Sequence, residues 1–210
     1  LFAPALSPDG KRVVAVRVSP SNVINLVELD AQTGQEIKKY SNPYSGNLQT
    51  PQFNASGDKI VCTIVGKQGV GLLEFDCKSG VPSRVISSQK QQITHPTYAG
   101  RTILFKAHYN GLDNIYRIDP ADGKVFQLGS VEYGAFNPSY DRWRDRILFN
   151  NYQPYGLDVA SMPYDSKQGT PVSSLKNTFI DYAQPLVIQE GSKDVFNDIP
   201  TTKHASKPYS

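Results

Sequence analysis

Two cysteines in 210 residues are too few for a disulfide scaffold. No window approaches the roughly 18–20 consecutive apolar residues of a membrane helix. No basic, then apolar, leader opens the chain, which starts at Leu1 inside a repeated phrase. It therefore reads as a piece of a longer product. No segment carries the apolar period of a helix of ordinary length. Charge of either sign is scarce as a field: 22 basic residues stand against 19 acidic, a net charge of +3. The one basic cluster, Arg142–Arg146, is broken up by Asp141 and Asp145. It reads as a solvated turn, and nothing here makes a nucleic-acid-binding face.

Catalytic and metal signatures are equally sparse. There is no G-x-S-x-G elbow for a hydrolase nucleophile. Ser87 to Lys90 and Ser173 to Lys176 match S-x-x-K, but both fall in polar connections without the partner motifs that chemistry needs. The three histidines, His95, His108 and His204, have no mutual metal spacing. Gly69-Val70-Gly71 lacks the third glycine and the helix of a nucleotide loop. No calcium loop occurs. Asn54-Ala55-Ser56 fits the glycosylation pattern but lies in a turn. The expectation is a protein without cofactor or metal and without a catalytic constellation of its own.

What the chain does have is turns, tyrosines and a repeat. Residues 3–33 read A-P-A-L-S-P-D-G-K-R-V-V-A-V-R-V, a polar gap, then V-I-N-L-V-E-L-D-A-Q-T. Proline sets φ at a corner, and Asp and Gly tolerate left-handed backbone, so this is a β-meander. The phrase returns. Pro4, Pro51, Pro96, Pro138 and Pro185 lie 47, 45, 42 and 47 residues apart. Val13, Ile60 and Ile147 each follow their proline by nine residues, and Ile103 follows Pro96 by seven. Leu29-Asp30 with Gly34, Phe75-Asp76 with Gly80, and Ile118-Asp119 with Gly123 align as a second landmark. Met162-Pro163-Tyr164-Asp165 is a looser version.

A period in the forties with several short β runs per period is the signature of a propeller blade. A four-stranded blade cannot bury both faces alone, so several copies are needed. The fold class expected is all-β, a propeller of four-stranded antiparallel blades, with about four blades present as part of a larger ring. In the first copy the strands, a to d, are Phe2–Leu6, Arg12–Val18, Val23–Asp30 and Glu36–Tyr40. Blades start near residues 1, 48, 93 and 135, with a possible fifth start near 182, where Leu186-Val187-Ile188 reads as a strand. Residues 1–196 form the propeller repeats, and 197–210 read as a linker to a further domain. If the second b–c hairpin turns near Gln68, Cys62 lies opposite Glu74 and Cys77 opposite Lys59. The two thiols are then roughly 10 Å apart and both free.

Ser7-Pro8-Asp9-Gly10-Lys11, an apolar strand, and a third strand ending in Asp with Gly a few residues on resemble the TolB-like, WD-repeat-like β-propeller repeat. Related repeats occur in tricorn protease and in propellers of dipeptidyl-peptidase-like enzymes. The resemblance covers residues 1–175. It implies a periplasmic or outer-membrane-associated setting and a protein or peptide partner.

In a propeller the d–a and b–c loops share one face. That puts Tyr44, His108, Tyr109, Asn110, Tyr133, Tyr152 and Tyr155 on one side as candidate binding residues. Tyrosines among small polar residues offer large contact area with few rotors to freeze. Several of them could equally pack between blades. Three functions follow as expectations. The first is a non-enzymatic binding module of the bacterial cell envelope. The second is a substrate-gating propeller of a tricorn-like or dipeptidyl-peptidase-like protease. The third is a lyase or glycan-binding propeller, for which His108, Asp113, Glu132 and Asp181 are the only candidates.

Overall fold

Alternation of apolar β-formers with turn residues produces sixteen strands in the described residues, 1–176 and 182–191, of a computed structural model. The first blade is β1 (Phe2–Leu6), β2 (Arg12–Val18), β3 (Ile24–Asp30) and β4 (Glu36–Tyr40), antiparallel in that order. Its boundaries match the sequence reading, save that β3 begins one residue late. The second blade is β5 (Asn47–Phe53), β6 (Lys59–Gly66), β7 (Gly69–Asp76) and β8 (Pro82–Gln89). The third contains β9 (Thr94–Ala99), β10 (Thr102–Ala107), β11 (Asn114–Ile118) and β12 (Val125–Gln127). The fourth is β13 (Ala135–Asp141), β14 (Arg146–Gln153) and β15 (Gly156–Pro163). The innermost strands follow one another in space, β1 against β5, β5 against β9 and β9 against β13.

The turns are held by their own side chains. Asp9 accepts from the Ser7 hydroxyl (2.5 Å) and the Lys11 amide (3.1 Å), and Gly10 takes φ of +71°. Asp30 and Asp76 accept the Thr33 and Ser79 amides at 2.7 and 2.6 Å, in the same c–d position. These hydrogen bonds favour the ionised forms and hold all three carboxyls below their ordinary range.

Neighbouring blades bury their faces against each other. Val14, Val16 and Leu26 of blade one meet Ile60, Cys62, Leu73 and Phe75 of blade two. Val61 and Leu72 meet Ile103, Phe105, Tyr116 and Ile118 of blade three. Leu104 and Ile115 meet Ile147 and Phe149 of blade four. Each fully buried side chain of this size contributes about 1.5–3 kcal/mol. A polar joint sits inside the first interface: Glu28, only 4% exposed, accepts from the Tyr40 hydroxyl at 2.7 Å and pairs with Arg12 at 3.2 Å. Arg12 also donates to the Gly57 carbonyl of blade two at 2.7 Å. Glu74 repeats the motif, pairing with Lys59 (2.7 Å) and accepting from Tyr98 of blade three (2.9 Å).

Three expectations need correction. Blade four has three strands, not four. The chain after it forms β16 (Thr170–Pro171), which pairs with β12 and makes the third sheet five-stranded. Asp165 and Gly169 keep the Asp-to-Gly spacing of the other copies, and Asp165 accepts the Lys167 amide at 2.8 Å, but the strand after this turn pairs with β12 instead of β15. A 3-10 turn, Val172–Ser174, follows, and Val172 and Leu175 pack on the core between blades two and three. Second, Leu186–Ile188 lies not in a strand but in a short helix, α1 (Ala183–Gln189). A short apolar run does not by itself distinguish the two, and Pro185 is tolerated in a first turn, where amides lack intrahelical partners. Third, Cys62 pairs with Leu73 and Lys59 with Asp76, so the hairpin turns on Lys67-Gln68, one step tighter than expected. Both thiols are free, and burial pushes the Cys62 thiol up.

The chain divides into two units, residues 1–178 with all four blades and residues 179–210 with α1. Asp181 and the linker assigned to 197–210 lie outside the described residues. Among the described residues, no helix is long and apolar enough to cross a membrane.

Removing Glu28 takes the ion-pair partner from Arg12, which keeps the Gly57 carbonyl, and takes the carboxylate acceptor from the buried Tyr40 hydroxyl. Glu28→Ala is expected to cost about 3 kcal/mol in urea unfolding, and Glu28→Gln clearly less. A loss from Glu28→Ala no larger than that of an exposed Glu36→Ala control would contradict this role.

Candidate functional site

The repeat prolines meet at the axis. Pro4, Pro51, Pro96 and Pro138 line one cavity of about 280 Å³, with Ala3, Thr50, His95 and Asn137 before them and Gln52, Thr97 and Ser139 after. The residue before each of these four prolines takes a positive φ: 49° at Ala3, 44° at Thr50, 51° at His95 and 51° at Asn137. None is glycine. Register breaks at the same place in each inner strand, between Phe2 and Ala5, Gln49 and Gln52, Thr94 and Thr97, and Phe136 and Ser139. Proline has no N–H to give a ladder, so the strand bulges there and bends around the axis. For β-branched Thr50 a positive φ is a genuine strain. Residues held this way cost about 1–3 kcal/mol each and persist only where the surrounding fold imposes them.

The cavity is polar in a neutral way. The Thr50 hydroxyl is buried and, among the described residues, has no hydrogen-bond partner. Asn137 donates to the Asn150 side chain at 3.0 Å. Burial, and then the nearby Lys106 charge, keep His95 below its ordinary pKa and therefore neutral at pH 7. Lys106 pairs with Asp113 at 2.8 Å, and His108 Nδ1 stands 4.0 Å from the same carboxylate. His108 is also shifted down, because burial and Lys106 outweigh Asp113. His95, Lys106, His108 and Asp113 thus gather on the blade-three side of the axis. Among the described residues, no group of three His, Cys, Asp or Glu side chains is placed to hold a metal ion.

The seven residues singled out in sequence go to different places. Tyr44 is half-buried on the first inter-blade core, with Arg84 stacked 4.2 Å over its ring. Tyr109 accepts from Gln89 at 2.7 Å and meets Tyr116 edge-on at 5.0 Å, so it joins blades two and three. Asn110 Oδ1 accepts from the Leu112 amide and the Tyr116 hydroxyl at 3.4 Å. His108 is in the charged cluster. Tyr133, Tyr152 and Tyr155 are exposed, with Tyr152 beside Leu157 on the outward face of blade four. None of the seven lines the axial cavity. Glu132, considered for a lyase site, is exposed. Sequence reading passed over the residues that do line the cavity, although each repeat proline marked one.

Two outcomes follow. Thr50→Gly relieves a strained φ, and is expected to raise the melting temperature slightly or leave it unchanged, whereas Leu48→Ala beside it costs about 2–5 kcal/mol. A clear fall in melting temperature for Thr50→Gly would show that the site is unstrained. For the histidines, folded-state pKa values lie below the ordinary 6.5. The unfolded chain then binds more protons, so stability is full above about 6.5 and is lost as pH falls through the lower folded values. Melting between pH 7 and 5 is expected to show this decline, and His95→Gln/His108→Gln to flatten it. An unchanged slope would assign the effect elsewhere.

The sequence matches no family model and no curated protein. In fold it is similar to a TolB-type protein from Agrobacterium tumefaciens, with a TM-score of 0.66 at 19% identity over 81% of this chain and 64% of that one. TolB from Acinetobacter baumannii gives 0.64 at 19% identity over 81% of this chain and 42% of that one. A prolyl endopeptidase gives 0.57 at 10% identity over 85% of this chain and 28% of that one. The chain spans less than two thirds of the length of each. In these four repeats of antiparallel strands, turning on a proline-lined axis, the chain has the fold of a TolB-like β-propeller.

Proposed function

We propose that this chain is a non-enzymatic recognition module that binds a protein or peptide partner in the bacterial cell envelope. One observation carries the reading: four successive inner strands hold strained pre-proline residues around an open axial cavity. Strain repeated at one position of a rigid scaffold clusters at ligand clamps. The cavity wall is neutral and hydrogen-bonding at Thr50, His95, Asn137 and Gln52, and apolar at the prolines. It suits an extended backbone, whose amides need partners but whose charge is nil. The exposed Tyr133, Tyr152 and Tyr155 would add contact area for the partner. Likeness in fold to TolB supports the periplasmic or outer-membrane-associated setting. A further domain of the same polypeptide would follow residues 197–210.

A second reading is the substrate-gating propeller of a peptidase. It is favoured by the likeness to a prolyl endopeptidase, of which a stretch of this size is only a part. In that setting the same cavity would steer peptides toward catalytic residues outside this chain.

Selection of displayed random peptides on the immobilised chain tests the site. Enriched peptides are expected to bind the wild type and to lose at least about tenfold in affinity when His95→Trp/Ser139→Trp fills the channel, with a smaller loss from Tyr133→Ala/Tyr152→Ala/Tyr155→Ala. Undiminished binding by both variants, each with an unchanged melting curve, would refute the assignment.

A further inference from the structure

The far mouth of the channel, at the a–b turns, is built differently. A cavity of about 460 Å³ there is lined by Pro8 of blade one, Phe53 of blade two, Tyr98 of blade three, and Tyr140 and Arg142 of blade four. Phe53, Tyr98 and Tyr140 occupy the same repeat position, two residues after the repeat proline. Tyr98 donates its hydroxyl to Glu74 (2.9 Å), and Tyr140 donates its own to Asp145. Both hydroxyls are thus engaged within the protein, leaving the rings to line the space.

The fourth a–b turn is the unusual one. It reads D-R-W-R-D-R and carries the single tryptophan of the chain, Trp143, which is 81% exposed. The turn is nonetheless pinned. Asp141 accepts the Trp143 and Arg144 amides at 2.9 and 3.3 Å and pairs with the Arg144 guanidinium at 3.0 Å. The Asp145 carbonyl accepts the Tyr164 amide at 2.8 Å. Arg142 stacks 4.5 Å over the Trp143 ring and, among the described residues, forms no ion pair. The pinned turn therefore sets an uncompensated guanidinium in the lining of an aromatic cavity, with the exposed indole of Trp143 stacked against that guanidinium.

We propose that this mouth binds a peptide segment in which a carboxylate neighbours an apolar side chain. The apolar group enters between Phe53, Tyr98 and Tyr140. The carboxylate takes the planar fork of Arg142, which matches it bidentately, and Trp143 packs over the segment. Tryptophan and arginine are the residues that most often dominate such contacts, and a turn already held in place loses little entropy on binding. The site lies at the opposite end of the blades from the b–c loops and their tyrosines, and does not depend on them.

Because Trp143 is the only tryptophan, its emission reads this site alone. The full chain is titrated with three probes: acetylated and amidated Gly-Phe-Glu-Gly, its Gln counterpart, and acetyl-Gly-Gln-Gly-Phe with a free C-terminal carboxylate. A saturable emission change is expected with at least one of the acidic probes. A response to the first assigns an internal acidic side chain, and a response to the third alone assigns a chain end. The Gln counterpart, and the acidic probe on Arg142→Gln, are expected to bind at least about tenfold more weakly, as for a lost charged hydrogen bond. Arg142 is exposed, so that variant is expected to melt like the wild type. No saturable response to either acidic probe at millimolar concentration, a response to the Glu probe that its Gln counterpart equals, or undiminished binding of the responding probe by Arg142→Gln would each overturn the proposal.

Discussion

Burial of one blade face against the next governs the rest of the molecule, because no blade is stable with both faces wet. The repeat encodes two complementary sets. Val14 and Leu26, Val61 and Leu72, and Leu104 and Ile115 look toward the following blade; Ile60 and Phe75, Ile103 and Ile118, and Ile147 and Met162 look toward the preceding one. Central strands apolar on both faces read as continuous hydrophobic runs, as Lys59–Gly66 and Gly69–Asp76 do. In blade four the forward-looking equivalents, Leu148 and Val159, are 36% and 75% exposed. That face has the chemistry of an inter-blade surface, consistent with four blades of a larger ring.

Packing twisted sheets around an axis crowds the inner strands, and the crowding is relieved at one repeated place. Each inner strand breaks its ladder at a proline and puts the preceding residue at positive φ. The same device that lets four sheets converge also leaves a channel between them. Its two ends differ because the strand alternates. Next to the prolines the wall is Thr50, His95 and Asn137; two residues beyond them it is Phe53, Tyr98 and Tyr140. Buried Glu28 and Glu74 then fix how one blade seats on the next, since a carboxylate without its phenol and cation partners would be costly.

Local chemistry was legible in the sequence. Turn residues and the proline period determined strand boundaries to within a residue in blade one, the antiparallel order of the first two sheets, and the free thiols, because turns and alternation act over a few neighbours. Tertiary structure alone decided where the chain goes after Pro163, since Thr170–Pro171 joined an edge 43 residues upstream that no local signal names. It also decided which tyrosines are structural. Tyr109 and Tyr133 look alike in sequence, yet Gln89 and Tyr116 enclose the first while the second stays in solvent. Likewise the repeat prolines announced a period, but that they encircle one cavity follows only from four sheets meeting at an axis. Side-chain identity and spacing are local quantities; convergence is set by long-range packing, and the site is made by convergence.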